Sequence, residues 1–351
     1  MALDEAPPFW WKNPGWQAWL LSPISFVYGR ASGKRMEFSS SSFVPVPVIC
    51  VGNFIVGGAG KTPTVELLSE HVRARGLRPG ILTRGYGGAV TSPTVVKRGR
   101  HNSHDVGDEA LLHAAHAVTV VSADRPKGAE LLLKQGCQFI LMDDGFQNPS
   151  LAKDFNLVVV DAKRGLGNGF SMPAGPLRVP FRHQLLHADT VMVIGDGTRG
   201  DFVVRRCSRA GKPVIKAYLE SKGKMPKKPY FAFAGIADPS KFFDTLAELE
   251  VDLKGTEPFG DHHFYTEEEC ADLLERAKTA NATPLTTAKD AARLVGMGKI
   301  QEKLLETSQV LGVKLEVEDP NLIEHMIDTA IENCTSRRLK LQKKIRKAVT
   351  A

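Results

Sequence analysis

The stretch Val51–Pro63, VGNFIVGGAGKTP, decides the fold class of this chain, because a glycine-rich turn in it joins a strand-like run to a helix-like run. Residues Val46–Val51 are mostly β-branched, and Lys61–Arg75 carry apolar side chains at helical spacing before Gly76 supplies a helix stop. A phosphate-binding loop is expected in this strand–turn–helix context. The strict pattern G-x-x-x-x-G-K-[ST] requires a glycine where this chain has Ile55, so an ordinary strand–helix turn is the alternative.

Each residue type in this turn has a physical task in holding a nucleotide. Glycines allow successive backbone N–H groups to point inward, and the start of the helix adds partial positive charge. Lys61 is long enough to reach the β- and γ-phosphates, the Thr62 hydroxyl is a ligand for Mg²⁺, and Pro63 is tolerated in the first helical turn. We therefore predict that a nucleoside triphosphate is bound by Gly57, Gly58, Ala59, Gly60, Lys61, Thr62 and Pro63.

Short apolar runs alternate with helix-like segments through the first half of the chain, and the alternation returns on a smaller scale after residue 228. Continuous apolar strands of this kind are typical of a mostly parallel sheet with helices on both faces. We predict an α/β protein with a phosphate-loop NTPase-like sheet flanked by helices and a smaller C-terminal α/β domain. The predicted boundaries are an aromatic N-terminal segment at 1–35, the phosphate-loop domain at 36–210, a linker at 211–228 and the smaller domain, with a basic C-terminal helix, at 229–351.

The charge balance favours acidic partners. The chain has 46 lysines and arginines against 39 aspartates and glutamates, and much of the +7 excess lies in Arg337–Lys347. Such a surplus suits anionic lipid, nucleic acid or a phosphorylated substrate, although a basic terminal helix is also typical of a solvated face. Because this tail lacks interleaved aromatic residues, we predict no nucleic-acid partner. The five cysteines form no C-x-x-C pair, which indicates a reducing, cytoplasmic compartment and no structural zinc.

The N-terminal segment gathers all four tryptophans of the chain, Trp10, Trp11, Trp16 and Trp19, and basic residues follow them. The apolar run is shorter than the about 20 residues that span a bilayer, and Pro23 interrupts it. Indole rings followed by cations favour a segment that lies in the membrane interface. A buried N-terminal helix with a tryptophan-rich contact is the alternative.

A pair of aspartates follows another strand-like run. Four apolar residues, Phe139–Met142, precede Asp143 and Asp144. Phosphate-loop proteins hold Mg²⁺ with a carboxylate at the end of a neighbouring strand, directly or through water. We predict a metal role for Asp143 and leave the role of Asp144 open at this point, and the alternative for the pair is a turn cap.

Two segments carry candidates for the group that activates an acceptor hydroxyl. The first is VGDEA, Val106–Ala110, in which two acids precede a helix-like run. The second is FGDHHFYTEEE, Phe259–Glu269, in which a capping box starts a helix and leaves Asp261 and His262 on the preceding loop. Surface acids and surface histidines are the alternative in each case.

Three arginines occupy loops in the first half of the chain: Arg84 in TRGYGG, Arg125 in ADRP and Arg178 in AGPLRVP. Each suits a bidentate contact with phosphate, and each equally suits a hydrogen bond to a loop carbonyl. The glycine and proline before Arg178 favour a shaped binding loop at that position.

With these segments in order, the chain resembles the tetraacyldisaccharide 4'-kinase family of lipid A assembly along nearly its whole length. The matching motifs are VGNFIVGGAGKTP, TRGYGG, VGDEA, ADRP, DDGFQN, AGPLR and GDHHFY. Each motif alone is weak, whereas the ordered set is specific. The resemblance implies transfer of the ATP γ-phosphate, with Mg²⁺, to the 4'-hydroxyl of a tetraacylated glucosamine disaccharide 1-phosphate, and it makes residues 36–210 the kinase domain.

The resemblance also implies roles for single residues. Asp108 and His262 match a dyad in which His262 tunes or assists Asp108 as this carboxylate takes the hydroxyl proton. Lys61 matches the catalytic lysine of the loop. The family often has a histidine where this chain has Asn148. The metal ligands implied are Thr62, Asp143 and Asp144, and the residues implied to line the substrate or metal region are Glu109, Arg125, Gln147, Arg178 and Asp261.

The implied substrate favours the membrane interpretation of the N-terminus. Removing acyl chains from a bilayer costs ~0.8 kcal/mol per CH₂, so an enzyme acting on four of them has to work at the interface. We expect residues 1–35 to hold the protein, as a peripheral or monotopic segment, to an anionic surface at the cytoplasmic face of the inner membrane. Two competing functions are a soluble phosphate-loop kinase of a small sugar or nucleotide, which predicts solubility without detergent, and a membrane-linked NTPase switch, which predicts strong hydrolysis without an acceptor.

Overall fold

The computed structural model describes residues 6–38, 41–58, 60–223 and 225–349 of the chain. A short 3₁₀ helix at Pro8–Trp11 begins the described chain. The strands are β1 (Val48–Asn53), β2 (Pro79–Thr83), β3 (Thr94–Val95), β4 (Val118–Val121), β5 (Phe139–Asp143), β6 (Phe155–Asp161), β7 (Thr190–Ile194), β8 (Val214–Ser221), β9 (Tyr230–Ala234), β10 (Leu253–Pro258), β11 (Thr283–Thr287), β12 (Gln309–Leu311) and β13 (Val313–Val317). The helices are α1 (Trp16–Phe38), α2 (Lys61–Ala74), α3 (Ser103–Val106), α4 (Asp108–His116), α5 (Arg125–Lys134), α6 (Phe181–His187), α7 (Thr198–Arg209), α8 (Pro239–Glu248), α9 (Glu267–Thr279), α10 (Ala288–Leu294), α11 (Lys299–Thr307) and α12 (Pro320–Val349).

Nine strands form one mixed sheet in the order β13-β8-β7-β6-β1-β5-β2-β4-β3. The strands from β8 to β4 run parallel, and the edge strands β13 and β3 are antiparallel to their neighbours. The prediction of a mostly parallel α/β sheet is confirmed.

Burial on both faces explains why the central strands are continuously apolar. Along β1, Val48 and Cys50 belong to the core on one face of the sheet, whereas Ile49 and Val51 belong to the core on the other. Helix α2 packs on the second face, together with the first half of α12. A parallel strand covered on both faces loses the apolar–polar alternation of a half-exposed strand.

A second sheet of four parallel strands, in the order β10-β9-β11-β12, carries helices α8 to α11. We call residues 230–311 the small unit and the remaining described residues the large unit. The small unit has its own apolar core, in which Tyr230 and Phe233 are fully buried.

Two predicted boundaries are wrong. Residues 211–228 were predicted to form a linker, but Val214–Ser221 is strand β8 of the large sheet, parallel to β7. The smaller domain was predicted to extend to residue 351, but after β12 the chain returns to the large unit, where β13 pairs with β8 and α12 packs on the sheet. The sequence pattern failed because β8 lies next to the sheet edge and leaves several side chains exposed, so it lacks a continuous apolar run.

The parallel strands bring several loops to one edge of the large sheet. Strand β1 lies between β5 and β6, so the loop before α2 and the loops that follow β5 and β6 all leave from the carboxyl ends of neighbouring strands. Ligand sites of open parallel sheets lie at this edge.

The N-terminal residues pack on the loop that contains AGPLR. The Trp10 indole N–H donates to the carbonyl of Pro173 at 3.0 Å, and the Ala174 N–H donates to Oγ of Ser25 in α1 at 2.9 Å. Within the described ranges, no helix is both long and apolar enough to cross a membrane.

Candidate active site

The turn before α2 is the predicted phosphate loop, and two of its glycines adopt a backbone that other residues disfavour. Gly57 and Gly60 adopt left-handed φ angles of 104° and 86°, which side chains disfavour. Lys61 and Thr62 begin α2 and are both buried. Ala59, which was predicted to bind the nucleotide, lies outside the described residues, whereas Gly58 is exposed and Pro63 half-buried.

Ile55 has a structural role that explains the missing glycine. It is buried in the apolar core and forms an isolated antiparallel bridge with Leu177. On either side of it, the Val56 N–H donates to Pro176 O at 2.9 Å and the Arg178 N–H donates to Phe54 O at 3.1 Å. The phosphate loop is thus tied to the AGPLR segment, which delivers Arg178 to the same sheet edge.

Asp144 is the carboxylate on which the cations converge. Arg178 donates to its two oxygens at 2.7 and 3.1 Å, and Lys61 Nζ lies 3.9 Å from Oδ1. Burial alone would raise the pKa of Asp144, but the charges of Lys61 and Arg178 outweigh it and hold the pKa at about 2. The residue also has a left-handed φ of 50°, a strained conformation of the kind that concentrates at functional sites.

Asp143 is fully buried at the end of β5. Its Oδ2 lies 3.0 Å from Nε2 of His113, which is also fully buried, and its Oδ1 has no hydrogen-bond partner among the described residues. A buried carboxylate oxygen without a partner is costly, so its retention points to a ligand or ordered water at this position.

Arg125 has a different role from the predicted substrate contact. Its guanidinium is buried and donates to the carbonyls of Ser122, Asp143 and Asp144, all within 3.3 Å. It therefore fixes the backbone that carries the two aspartates, which is the second of the two roles that its loop position suggested.

Gln147 and Asn148 complete the loop after β5. The Gln147 side chain donates to Asn53 O at 2.7 Å and accepts from Arg178 at 3.4 Å, so it links the phosphate-loop strand to the arginine. Asn148 accepts from the Ser150 N–H at 2.9 Å and thereby shapes the turn.

The structure brings Asp108 and His262 together from the two units. Asp108 opens α4 and is 4% exposed, and Nδ1 of His262 lies 3.3 Å from its Oδ2. Asp261 precedes this histidine and accepts from its backbone N–H at 3.1 Å, and the ring of Tyr86 lies 5.2 Å from the imidazole. His262 has a left-handed φ of 56°. The two residues that the resemblance pairs as a dyad therefore lie close together at the contact between the units.

Neighbouring charges favour the ionised form of both Asp108 and His262. Burial would raise the pKa of Asp108, but His262 and the charges of Arg293 and Lys289 hold it well below its usual range. Interaction with Asp108 raises the pKa of His262 against the opposing effect of burial. The pair is therefore a carboxylate beside a histidine that favours its protonated form.

Glu109, the second acid of VGDEA, pairs with a lysine of the small unit. Lys289 Nζ donates to Glu109 Oε1 at 2.7 Å, and the charge of Lys289 lowers the pKa of Glu109 to about 2 against the effect of burial. The positive charge of Lys61 also lowers the pKa of Glu109, and α4 packs against α2, the helix that Lys61 begins.

This ion pair predicts a pH-dependent contribution to stability. Because the pKa of Glu109 is lower in the folded protein than in the unfolded chain, its contribution is present above about pH 4.5 and is lost as pH falls toward 2. We expect Glu109→Gln to lower the free energy of unfolding by about 2 kcal/mol at pH 7 and by roughly half of that or less near pH 3. Denaturant titrations at the two pH values measure the difference.

The exposed pair Lys314–Glu316 supplies the control for that prediction. Glu316→Gln is expected to change the free energy of unfolding by less than about 1 kcal/mol, because solvent screens an exposed pair. An equal effect of the two substitutions at both pH values would contradict the assignment.

Three site residues were missed by sequence reasoning: His113, Lys289 and Arg293. The first lies on α4 beyond the recognised VGDEA motif, and the other two lie on α10, about 180 residues after their carboxylate partners. The only sequence signal for Lys289 and Arg293 is helical spacing, since the two residues are four apart and share a face of α10.

The chemistry of these groups sets the class of the protein. Two glycines with left-handed φ before α2, a buried lysine and an arginine at the sheet edge suit the phosphates of a nucleotide. A buried carboxylate beside a histidine suits deprotonation of a hydroxyl acceptor. Fold and site together define an α/β kinase.

Comparison with known proteins identifies the kind of kinase. The family model described as tetraacyldisaccharide-1-P 4'-kinase matches residues 17–332. The chain belongs to the tetraacyldisaccharide 4'-kinase family. It is 46% identical over 345 residues to the tetraacyldisaccharide 4'-kinase of Agrobacterium fabrum, covering 96% of this chain and 98% of the relative. The kinase of the same name from Rhizobium etli (strain CFN 42) is 47% identical over 343 residues, with the same two coverages.

A solved structure supports the assignment independently. The crystal structure of LpxK from Aquifex aeolicus in complex with ATP is similar with a TM-score of 0.70 and 26% identity, and the match covers 90% of this chain and 99% of that one. The predicted family, fold class and kinase activity are confirmed.

Proposed function

We propose that this enzyme transfers the γ-phosphate of ATP to the 4'-hydroxyl of a membrane-embedded tetraacylated disaccharide 1-phosphate, with Asp108 as the base. The observation that supports the proposal is the contact of 3.3 Å between Asp108 of the large unit and His262 of the small unit, because Asp108 begins α4 and α4 packs against α2, the helix after the predicted phosphate loop. This arrangement supports the proposal, because Asp108 would then be a proton acceptor near the phosphates of a nucleotide bound at that loop.

The proposed step is a direct phosphoryl transfer from ATP to the sugar hydroxyl. The 4'-oxygen attacks the γ-phosphorus, its proton passes to Asp108, and the bond to the β,γ-bridging oxygen breaks to leave ADP. Lys61 and Arg178 offset the negative charge of the phosphates, and His262 stabilises the charge of Asp108 before the proton arrives. The proposed substrate-lining residues are Glu109, Gln147, Arg178 and Asp261.

Mg²⁺ is the proposed metal, and the residues fit it. Hydroxyl and carboxylate oxygens from Thr62, Asp143 and Asp144 are the hard ligands that Mg²⁺ prefers, and the unpartnered Oδ1 of Asp143 is a free acceptor. The described residues contain no group of three or more His, Cys, Asp or Glu able to hold a metal by themselves. Such a set still suits Mg²⁺, which in kinases uses one or two carboxylates and completes its shell with water and phosphate. When bound, the ion neutralises charge on the β- and γ-phosphates.

Helix α1 supports membrane association, because its large apolar side chains are exposed and its small residues are buried, whereas an ordinary surface helix buries its large apolar side chains. Small residues form the packed stripe: Ala18, Ser25, Gly29 and Gly33 are buried, and a Cβ at Gly29 would meet Pro180 at 2.9 Å. Large apolar residues point outward instead, with exposed fractions near 60–70%: Trp16, Trp19, Leu20, Ile24, Phe26 and Val27. A contiguous apolar face of this kind marks an interaction surface, and its tryptophans suit a bilayer interface.

We expect the double substitution Trp16→Ala, Trp19→Ala to lower partitioning onto vesicles that contain anionic lipid roughly 30- to 1,000-fold. Each indole would lose ~1–2 kcal/mol of burial in the interface. Co-sedimentation with vesicles measures the partition coefficient. Leu249→Ala, at an exposed apolar residue of the small unit, is the control and should leave partitioning unchanged. Unchanged binding of the double variant would assign the α1 face to another contact.

Such binding would place the enzyme peripherally at the cytoplasmic face of the inner membrane. ATP is supplied from the cytoplasm, and the net charge of +7 favours an anionic leaflet. The acyl chains of the substrate would remain in the bilayer while the disaccharide reaches the contact between the units.

A panel of acceptors tests the proposed function. ADP formation with Mg²⁺ is measured with the tetraacylated disaccharide 1-phosphate in mixed micelles, with the same lipid already phosphorylated at the 4'-position, with soluble glucosamine 1-phosphate, and without acceptor. We expect stimulation by the first acceptor alone. Equal stimulation of ADP formation by the soluble sugar would favour the soluble kinase. ATP hydrolysis at the same rate with and without each acceptor would favour the NTPase switch.

A further inference from the structure

A buried arginine of the small unit lies outside the sequence motifs but contacts Asp108. Arg293, on α10, is 1% exposed at its side chain and lies between two buried carboxylates, Asp108 of the large unit and Asp290 of its own helix. Resting on the function proposed above, we infer that Arg293 is the positioning residue for Asp108: it fixes one carboxylate oxygen and leaves the other to accept the proton of the sugar hydroxyl.

The guanidinium uses different nitrogens for the two carboxylates. Nε and Nη2 donate to Oδ2 of Asp108 at 2.9 and 2.6 Å, and Nη1 donates to Oδ1 of Asp290 at 2.8 Å. Only the planar fork of arginine spans two carboxylates in this way, because a lysine is a point donor.

Asp290 is itself held by several hydrogen bonds, so it fixes the position of the Arg293 guanidinium. Its Oδ1 accepts from the Gly235 N–H and the Tyr265 hydroxyl, each at 2.9 Å, and its Oδ2 accepts from the Thr287 hydroxyl at 2.6 Å. The position of Arg293 is therefore determined by the small unit and imposed on an aspartate of the large unit.

The two oxygens of Asp108 end up in different environments. Oδ2 faces three donors, two from Arg293 and Nδ1 of His262, whereas Oδ1 accepts one N–H, from Glu109 at 2.8 Å. A carboxylate oxygen has two lone pairs, so Oδ1 retains one for a substrate proton. Oδ2 is engaged by donors from the small unit and is not available to the substrate proton.

The charges around Asp108 balance closely. The cationic groups are Arg293, Lys289 and His262, and the acidic ones are Glu109, Asp261 and Asp290. Apolar contact supports the same junction, since Ala292 of α10 packs in one cluster with Val106 and Ala110. Removing Arg293 would leave both Asp108 and Asp290 without their shared cation at a dry contact.

The test is a mutational cycle in the lipid phosphorylation assay with the full chain. We expect Arg293→Met to lower kcat about 10- to 100-fold while the Kd for ATP changes less than about threefold, and we expect Arg293→Lys to recover part of the loss. In an Asp108→Ala background, Arg293→Met should lower kcat by less than about threefold further, because a residue that acts through Asp108 has nothing left to position.

A merely structural role gives a different pattern. The losses from Asp108→Ala and Arg293→Met would then multiply, and that result would overturn the inference. Arg276→Met is the control, since Arg276 pairs with Glu257 on the surface of the same unit, and it should leave kcat unchanged. If the wild-type protein phosphorylates the lipid and Arg293→Met equals it, the inference fails alone. If the wild-type protein transfers no phosphate to the lipid, both the inference and the proposed function fail.

Discussion

Lys61→Met is expected to reduce kcat/KM for ATP by about 10²–10³-fold. The ammonium is buried at the start of α2 and lies 3.9 Å from Asp144, so it is already held where the phosphates are expected. Removing this preorganised cation leaves the negative charge of the phosphates without its nearest protein partner. Steady-state ADP formation with saturating lipid measures the loss.

The exposed Lys127 on α5 provides the matched control. Lys127→Met removes the same charge from the same unit and should leave kcat/KM unchanged. A loss of less than about threefold for Lys61→Met would show that the phosphates lie elsewhere.

Asp108→Ala is expected to lower kcat by on the order of 10²–10⁴-fold, the usual contribution of a general base. Because Asp108 contacts His262 and Arg293 rather than the phosphate loop, the Kd for ATP should stay within about threefold of the wild-type value. Single-turnover transfer and equilibrium ATP binding, measured on the same preparation, separate the two effects.

Asp244→Ala, at an exposed position of α8, is the control for that variant. A large loss of ATP affinity in Asp108→Ala would reassign this aspartate to the metal shell. Wild-type transfer by the variant would leave His262 as the remaining candidate for the base.

Local signals account for the parts of the site that sequence reasoning found. The predicted phosphate loop lies within one strand, one turn and the first turn of one helix, and the aspartate pair lies at the end of β5. Each of these features depends on neighbouring residues and on the common edge of parallel strands, so a single segment of sequence is sufficient to predict it.

Long-range contacts explain what was missed. The partners of Asp108 and Glu109 on α10 depend on how the small unit docks, and nothing near VGDEA indicates a contact with residues so distant in sequence. The small unit likewise ends earlier than predicted, because the pairing of β13 with β8 joins segments almost 100 residues apart. For Arg125, the sequence left two roles open, a contact with phosphate and a hydrogen bond to a loop carbonyl. Burial of the side chain decides between them, and burial cannot be seen in the local sequence.

The measurement that tests the account most directly is the position of the transferred phosphate. The tetraacylated disaccharide 1-phosphate is incubated with the enzyme, Mg²⁺ and ATP labelled in the γ-phosphate, and the lipid product is analysed by phosphorus NMR and mass spectrometry. We expect a disaccharide bisphosphate whose new, labelled phosphate is bonded to the 4'-oxygen. Label found only as inorganic phosphate, or on any other hydroxyl of the lipid, would contradict it.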